Sequence, residues 1–272
     1  MDQHVQVALS GAIPAIVAMW LVDRLDRKRP EPAGTRRMVA FVGMLSVIPV
    51  LIVGSVLQRS VGDDLDPQFT YQGASFNAFI LAAAVEEAAK IAVVYWIVWR
   101  KPEFDERMDG IVYASRAGLG FALVENVLYL LGQTTLSGQI YVWIARALLA
   151  VPGHAMWTGM IGYFAARRRF DGKGLGLVGG YLLAVAFHGA YDVAIFVQQP
   201  MTYEGHGDIA AALILIPIAL TVAAFFVIRS MARTALQLDD AEAATAAVRA
   251  ALTSPVLPPP PTPPPPGPAP TF

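Results

Sequence analysis

The chain has 272 residues, of which 56% are hydrophobic and 15% are charged, and its formal net charge at pH 7 is −1. Soluble domains carry about 25% charged residues, so this composition indicates a polytopic membrane protein. The basic residues are spread over short loops, which excludes a nucleic-acid-binding surface. The absence of cysteine excludes disulfides, thiol nucleophiles and cysteine-ligated metals.

Seven apolar segments are each close to the roughly 20 residues that a helix needs to cross a bilayer. They predict an all-α fold, a polytopic bundle of about seven transmembrane helices. The predicted spans are residues 5–22, 38–57, 75–99, 111–131, 140–164, 175–197 and 209–228. No lysine or arginine precedes the first span and a basic cluster follows it, so we interpret it as an uncleaved anchor rather than a signal peptide.

The lysine and arginine residues predict the orientation of the helices. Sixteen of the 20 lie in one set of loops and in the C-terminal segment, whereas the opposite loops hold Arg59 alone. Because cytoplasmic loops carry the excess of positive charge, we expect a cell-membrane protein with its N-terminus outside and its C-terminus in the cytoplasm.

Three segments are expected along the chain. Residues 1–229 form the transmembrane domain, whose chemistry lies between residues 75 and 197, and an alanine-rich cytoplasmic helix covers residues 230–253. Residues 254–272 contain eleven of the 20 prolines and are expected to be disordered, because such sequence cannot bury a core. A docking role for this Pro-rich tail stays open, and the sequence names no partner for it.

Four predicted spans contain ionisable residues well away from their ends. An ionisable side chain at the bilayer centre costs about 2.5–3.5 kcal/mol, so these groups are expected to face a protein interior or a wet cavity. Counted at about 1.5 Å per residue from the predicted cytoplasmic ends, the four helices deliver them to one layer roughly 15–21 Å deep. The residues are Glu86, Glu87 and Lys90 in the third span, Glu125 in the fourth, His154 in the fifth, and His188 with Asp192 in the sixth.

The third span places two acids beside one lysine. Glu86 and Lys90 stand at i and i+4 with the acid first, the favourable order for a helical ion pair. A buried pair that only fixes helix packing is an alternative interpretation. That alternative leaves Glu87, which points about 100° away on the helix, without a partner.

The fourth and fifth spans add supporting residues. Phe121 shares a face with Glu125, and Asn126 beside this acid can donate a hydrogen bond. Pro152, just before His154, predicts a kink that opens space for a water molecule.

In the sixth span Asp192 follows His188 by four residues, so the acid can fix the tautomer of the imidazole. With both histidines neutral, the four buried acids and Lys90 sum to a net charge of −3. This charge requires a protonated carboxyl, a charged histidine or a bound cation, and coupled acids of this kind suit general acid–base chemistry. Arg146, nearer the outside, can balance part of it.

These residues form four short patterns in a fixed order. They are EExxK at 86–90, FxxxE followed by asparagine at 121–126, HAMWTG from His154, and HxxxD from His188 to Asp192. Each pattern alone is weak, but the four together, each in its own span, resemble the PrsW family of intramembrane proteases, relatives of the CAAX prenyl proteases and bacteriocin-processing enzymes. The resemblance covers roughly residues 75–197.

The resemblance implies hydrolysis of a peptide bond in a membrane-protein or peptide substrate. The residues that it implies in catalysis are Glu86, Glu87, Glu125, His154, His188 and Asp192, supported by Lys90, Phe121 and Asn126. The first four would activate a water molecule, and the last two of the catalytic set would polarise the scissile carbonyl or stabilise the oxyanion. The family is associated with the first, extracytoplasmic cleavage of a membrane-bound anti-sigma factor, so a regulatory membrane protein is a candidate substrate.

The need for a metal is left open by the sequence. Members of the family are often described as metalloproteases, whereas related enzymes resemble glutamate-dependent hydrolases that use no metal. Glu125, His154 and His188 are candidate zinc ligands, yet no HExxH motif is present. No other cofactor is indicated.

Two other functions stay open at this point. Intramembrane acids and histidines also line ion pathways, so a proton- or cation-coupled transporter is one alternative, although no inverted repeat is recognisable. A catalytically inactive relative that binds substrates as a membrane scaffold is the other.

Overall fold

The computed structural model describes residues 3–61, 65–66 and 68–253. The described residues form helices joined by short turns, and no strand occurs among them, which confirms the predicted all-α fold. The Pro-rich tail at 254–272 lies outside the described residues. The helices are α1 (Gln3–Asp23), α2 (Ala33–Leu45), α3 (Val47–Val61), α4 (Tyr71–Phe76), α5 (Val85–Ile97), α6 (Arg107–Leu131), α7 (Leu136–Ala145), α8 (Val151–Asp171), α9 (Gly176–Phe196), α10 (Gln198–Tyr203), α11 (Gly207–Ala212) and α12 (Leu215–Thr253).

Within the described residues, five helical segments are long and apolar enough to cross a membrane. They are Gln6–Asp23, Ala33–Ser60, Arg107–Leu131, Gly176–Tyr203 and Gly207–Thr253. They coincide with the first, second, fourth, sixth and seventh predicted spans, and the multi-pass character of the chain is thereby confirmed. The remaining predicted spans, 75–99 and 140–164, coincide with helices that change type along their length.

Both of these helices contain π-helical turns. Asn77–Ala84 form a π-helix between α4 and α5, and Arg146–Ala150 form another between α7 and α8. Wide turns of this kind occur mostly at functional sites. Here Glu86 and His154 follow the two turns within a few residues. The predicted distortion near Pro152 lies just before this proline, in the π-helical turn Arg146–Ala150 that continues directly into α8.

Helix α6 is the central helix of the bundle, with 72% of its span buried against α8, α1 and α2. Glycines set its distance from α8. A Cβ on Gly110 or Gly162 would overlap the carbonyl oxygen of the other glycine, and a Cβ on Gly118 would lie 2.5 Å from the carbonyl oxygen of His154. The backbones therefore approach closely, which brings side chains of α6 and α8 into one layer.

One end of α6 is held by polar contacts from other helices. The carboxylate of Asp239, on α12, accepts the backbone N–H groups of Arg107 at 3.1 Å and Met108 at 3.0 Å. The guanidinium of Arg107 binds Asp239 at 2.9 Å and Asp171, at the end of α8, at 2.6 Å. These contacts join α6, α8 and α12 and satisfy N–H groups that a helix start leaves without partners.

Helix α12 begins at Leu215, inside the predicted seventh span, and ends at Thr253, whereas the start of that span lies in α11. The compact unit that contains all the other helices ends at Asp239. The predicted segment boundaries at residues 229 and 253 stay predictions.

Candidate active site

The buried ammonium of Lys90 joins three of the predicted site residues. Its Nζ lies 3.0 Å from Oε2 of Glu86, 2.9 Å from Oε1 of Glu87 and 2.8 Å from Nδ1 of His154. The ring of Phe121 lies against the same ammonium, 4.3 Å from its centroid. Lys90 is completely buried, so this one cation offsets the negative charge of two acids away from bulk water.

Glu87 is the most fully bonded of the acids. Besides Lys90, its Oε1 contacts Nδ1 of His188 at 3.0 Å, and its Oε2 accepts the hydroxyl of Thr158 at 2.7 Å. The expectation that an ion pair of Glu86 with Lys90 leaves Glu87 without a partner is therefore wrong. The long lysine side chain reaches both acids because they stand three and four residues before it on one turn of α5.

A second ion-paired group lies on the α6 and α8 side of the layer. Oε2 of Glu125 contacts Nε2 of His154 at 2.8 Å and accepts Nη2 of Arg146 at 2.6 Å. Arg146 belongs to the π-helical turn before α8, and its guanidinium also lies 3.9 Å from the ring centroid of Tyr129. This arrangement fixes the carboxylate of Glu125 between a guanidinium and an imidazole.

Asn126 supports the site differently from the prediction. Its amide donates to the carbonyl of Gly11 on α1 at 2.7 Å, and its Oδ1 accepts Nε of Arg146 at 2.8 Å. It therefore orients Arg146, which in turn binds Glu125. The side chain of an asparagine one position after the acid points to a different face of the helix, which explains why it reaches the guanidinium instead of the carboxylate.

His188 is held between two carboxylates. Its Nδ1 contacts Glu87, and its Nε2 lies 3.2 Å from Oδ2 of Asp192 and 3.9 Å from Oε2 of Glu86. Trp157 stacks on the imidazole with a centroid distance of 4.3 Å. Both ring nitrogens thus face acids, which fix the orientation of the ring.

The two histidines stand edge to face, with ring centroids 5.2 Å apart. Their side chains come from α8 and α9, and both residues are 2% exposed. The structure therefore brings all six predicted catalytic residues into one layer, from α5, α6, α8 and α9.

Three cavities reach this layer. Glu86 lines a groove of about 660 Å³ beside α3 and the first π-helical turn, and also a cavity of about 440 Å³ between α3, α5 and α6. Glu125 lines the second of these and a third cavity, of about 220 Å³, which His154, His188 and Asp192 also line. Glu86 is thus reached from the α3 side, the histidines and Asp192 from the third cavity, and Glu125 from both.

The donor atoms fit a zinc ion by type. One atom each of Glu86, His154 and His188 lie within 4.8 Å of one another, so the group that the structure brings together has Glu86 where the sequence suggested Glu125. Two imidazoles and a carboxylate are a known ligand set for catalytic zinc. The ammonium of Lys90 contacts two of these three donors, so it competes with a metal for them.

The sequence patterns do not indicate a site role for Thr158 or Trp157, and they indicate only a charge-balancing role for Arg146. Spacing on α8 is the signal that could have found them. Trp157 and Thr158 stand three and four residues after His154, and Arg146 stands about two helical turns before it, so all of them share its face.

Comparisons with known proteins identify relatives of the chain. The family described as PrsW family intramembrane metalloprotease matches residues 31–228. The chain is 32% identical over 196 residues to Protease PrsW of Geobacillus kaustophilus, covering 71% of this chain and 81% of that protein. It is 29% identical over 200 residues to Protease PrsW of Bacillus subtilis, with 71% and 84% covered.

Protease PrsW of Clostridioides difficile is 26% identical over 195 residues, with 70% of this chain and 79% of that protein covered. No solved structure matches the chain significantly. The family match extends from the start of α2 into α12 and includes all four sequence patterns. The chain therefore belongs to the PrsW family of intramembrane proteases.

Proposed function

We propose that this layer hydrolyses a peptide bond of a membrane-protein substrate. The observation that carries the proposal is the network in which Lys90 binds Glu86, Glu87 and His154 beside open cavities. Hydrolysis needs a base for water, a group that stabilises the oxyanion and a donor for the leaving amine. Acids and imidazoles meet here at distances suited to all three tasks.

Glu86 is the proposed general base. Its carboxylate lines two cavities, whereas both oxygens of Glu87 are occupied by Lys90, His188 and Thr158. Oε2 of Glu86 and Nε2 of His188 lie 3.9 Å apart, too far for a hydrogen bond, so neither atom occupies the other and each can contact a reacting group. Glu87 then acts as a positioning residue for Lys90 and His188.

The reaction proceeds in two proton-balanced steps. Glu86 takes a proton from water as the water oxygen bonds to the scissile carbonyl carbon, and His188, held by Asp192, donates a hydrogen bond to the resulting oxyanion. When the carbon–nitrogen bond breaks, Glu86 returns the proton to the leaving amine. His154, oriented by Glu125, faces His188 across the site and provides a polar side chain on the opposite side.

A zinc ion, when bound, would be held by Glu86, His154 and His188 and would supply Lewis acidity at the carbonyl oxygen. Glu86, His188 and His154 perform their proposed roles with their own side chains.

The substrate is proposed to enter sideways, from the lipid. The groove that leads to Glu86 is lined by apolar residues, among them Val50, Leu51 and Phe196, and by polar ones, among them Gln58, Arg59, Asp66 and Asn77. An extended peptide segment can lie in such a groove, with its side chains against apolar walls and its backbone near the few amide groups.

The orientation and the substrate class belong to the same proposal. The excess of lysine and arginine on one set of loops supports an N-terminus outside and a cytoplasmic C-terminus. The family resemblance supports a regulatory membrane protein, such as an anti-sigma factor, as the substrate.

The decisive experiment compares the N-termini of membrane proteins in source cells that carry the native chain or a variant. We expect new termini only with the native chain, and their loss in Glu86→Gln, where one oxygen becomes an amide nitrogen. The matched control is Glu242→Gln, at an exposed position of α12.

Each variant is checked for insertion and for equal amount in the membrane. Identical terminus profiles for the native chain and Glu86→Gln under several stress conditions would overturn the proposal. Proton flux in liposomes that contain the purified chain would then identify a transporter instead.

A further inference from the structure

A second cluster of acids lies outside the catalytic layer. It is formed by Asp26 and Glu31, from the turn between α1 and α2, and by Glu106 and Asp109, at the start of α6. Asp109 precedes Glu125 by 16 residues on α6, which places the cluster about 24 Å along the helix from the catalytic layer. We call these four residues the turn cluster.

The turn cluster is closely spaced and buried. One carboxylate oxygen from each residue lies within 4.8 Å of the others. None of the four residues is more than 8% exposed, and Asp109 is completely buried. Four carboxylates this close together repel one another strongly unless positive charge or protons lie between them.

Three of the six carboxylate oxygens of Asp26, Glu106 and Asp109 are bound to protein donors. Oδ2 of Asp109 accepts the backbone N–H groups of Asp105 at 2.8 Å and Glu106 at 2.9 Å, and one oxygen of Glu106 accepts the guanidinium of Arg29. Oδ1 of Asp26 accepts the backbone N–H of Arg29 at 3.3 Å.

The other oxygens of these three acids have no donor. In the part of the chain that the structure describes, Oδ2 of Asp26, Oε1 of Glu106 and Oδ1 of Asp109 are buried without a hydrogen-bond partner. Buried carboxylate oxygens without partners are costly, and three in one place require a cation or protons between them. The guanidinium of Arg29 offsets only one of the four charges.

We infer that the turn cluster binds one hard divalent cation through its carboxylate oxygens. An all-oxygen ligand set selects Ca²⁺ or Mg²⁺ over zinc. Oxygens on opposite sides of a Ca²⁺ ion lie about 4.6–5.2 Å apart, because each bond is about 2.3–2.6 Å long. Separations of no more than 4.8 Å fit within the coordination sphere of one such ion, and Ca²⁺ is favoured because Mg²⁺ demands a near-ideal octahedral shell and keeps its water.

The cation joins two parts of the chain that are far apart in sequence. It ties the α1–α2 turn to the first turn of α6, the helix that carries Glu125 at its other end. Binding of the ion to the folded state alone stabilises that state by mass action. The site is thus a structural clamp, separate from the catalytic donors.

Binding is tested on the full-length protein in detergent micelles after removal of metals with a chelator. Tb³⁺ serves as a luminescent probe, because the hydroxyl of Tyr113 donates to Glu31 and so places a sensitising ring beside the ion. We expect saturation at about one Tb³⁺ per chain, displacement by Ca²⁺ at lower concentration than by Mg²⁺, and a rise in thermal unfolding midpoint with Ca²⁺.

Variants assign the signal to the turn cluster. The Asp109→Asn variant is expected to lose Tb³⁺ luminescence and the Ca²⁺-dependent rise in midpoint. Glu103→Gln, a neighbouring acid outside the cluster, and Glu86→Gln, in the catalytic layer, are expected to keep both. If Asp109→Asn fails to fold, Asp26→Asn supplies the same test from the turn.

Two results would overturn the inference. Tb³⁺ binding that persists in both cluster variants would locate the ion elsewhere. A native protein whose midpoint does not change with Ca²⁺ or Mg²⁺ would show that the carboxyls share protons instead.

Discussion

Nζ of Lys90 lies 2.8 Å from Nδ1 of His154, a contact that joins α5 to α8 across 64 positions of sequence. An ammonium has only donors, so Nδ1 must accept, and the ring proton then lies on Nε2, which faces Glu125. One lysine therefore sets the tautomer of a histidine on another helix. The protonation pattern of the site depends on this contact.

Removal of Lys90 should destabilise the whole fold. Lys90→Met leaves Glu86 and Glu87 buried without their shared cation, and breaking a buried ion pair costs about 3–5 kcal/mol. We expect a much lower thermal unfolding midpoint for this variant in detergent. Lys101→Met, at an exposed position, is the control and should melt like the native protein.

A second substitution tests the cause of that loss. Glu87→Gln removes one of the buried charges, so the double variant with Lys90→Met should be more stable than Lys90→Met alone. Losses that simply add in the double variant would show that Lys90 acts through packing and not through charge.

Arg146 should affect turnover and not substrate binding. Its guanidinium binds Glu125 and Asn126 through two different nitrogens but lies behind the proposed reacting atoms. We expect Arg146→Met to lower kcat about 10- to 100-fold, the usual effect of losing an orienting partner, with KM almost unchanged.

Arg146→Lys should recover only part of this activity, because one ammonium cannot reproduce the two-nitrogen contact. Arg233→Met, at an exposed position of α12, is the matched control. Full kcat in Arg146→Met would mean that His154 alone orients Glu125.

The α6–α8 contact should tolerate no side chain at its glycines. Gly162→Val introduces a Cβ that overlaps the carbonyl oxygen of Gly110, and overpacking costs about 1–3 kcal/mol or more when backbone must move. We expect a lower unfolding midpoint together with lost activity, since the shift separates Glu125 from His154. Gly34→Val is the control, because a Cβ there meets nothing within 4 Å. Equal midpoints for the two variants would contradict the close approach.

Metal content tests the ligand set of the catalytic layer. We expect added zinc to bind at about one ion per chain, measured by mass spectrometry of the elements. His154→Ala and His188→Ala should lose the ion, whereas His206→Ala, an exposed histidine outside the group, should keep it. Full activity in a metal-free preparation would show that the donor atoms bind the ammonium of Lys90 in place of a metal ion.

The polar layer could be predicted from the sequence because an ionisable side chain is energetically costly inside a membrane span and is therefore rare there. Glu86, Glu125, His154 and His188 sit in apolar spans, and counting residues from the span ends was enough to place them at one depth. Helical spacing also predicted the contact between His188 and Asp192.

The partners between helices could not be predicted in the same way. Spacing along α5 gives no sign that Glu87 meets Thr158 and His188, because those contacts depend on how α5, α8 and α9 are rotated. The π-helical turns change that rotation, and no rule for proline or glycine predicts from the sequence where they occur. The same holds for Asn126, whose partner on α1 is 115 residues away.

The two π-helical turns divide each catalytic helix into halves that can change independently. A π-helical turn holds one residue more than an α-helical turn, so a residue gained or lost within Asn77–Ala84 or Arg146–Ala150 can be taken up by the turn itself. The half that carries Glu86 or His154 keeps its internal spacing through such a change. Insertions and deletions at these two places are thus a route by which the entrance can diversify between relatives while the reacting groups keep their arrangement.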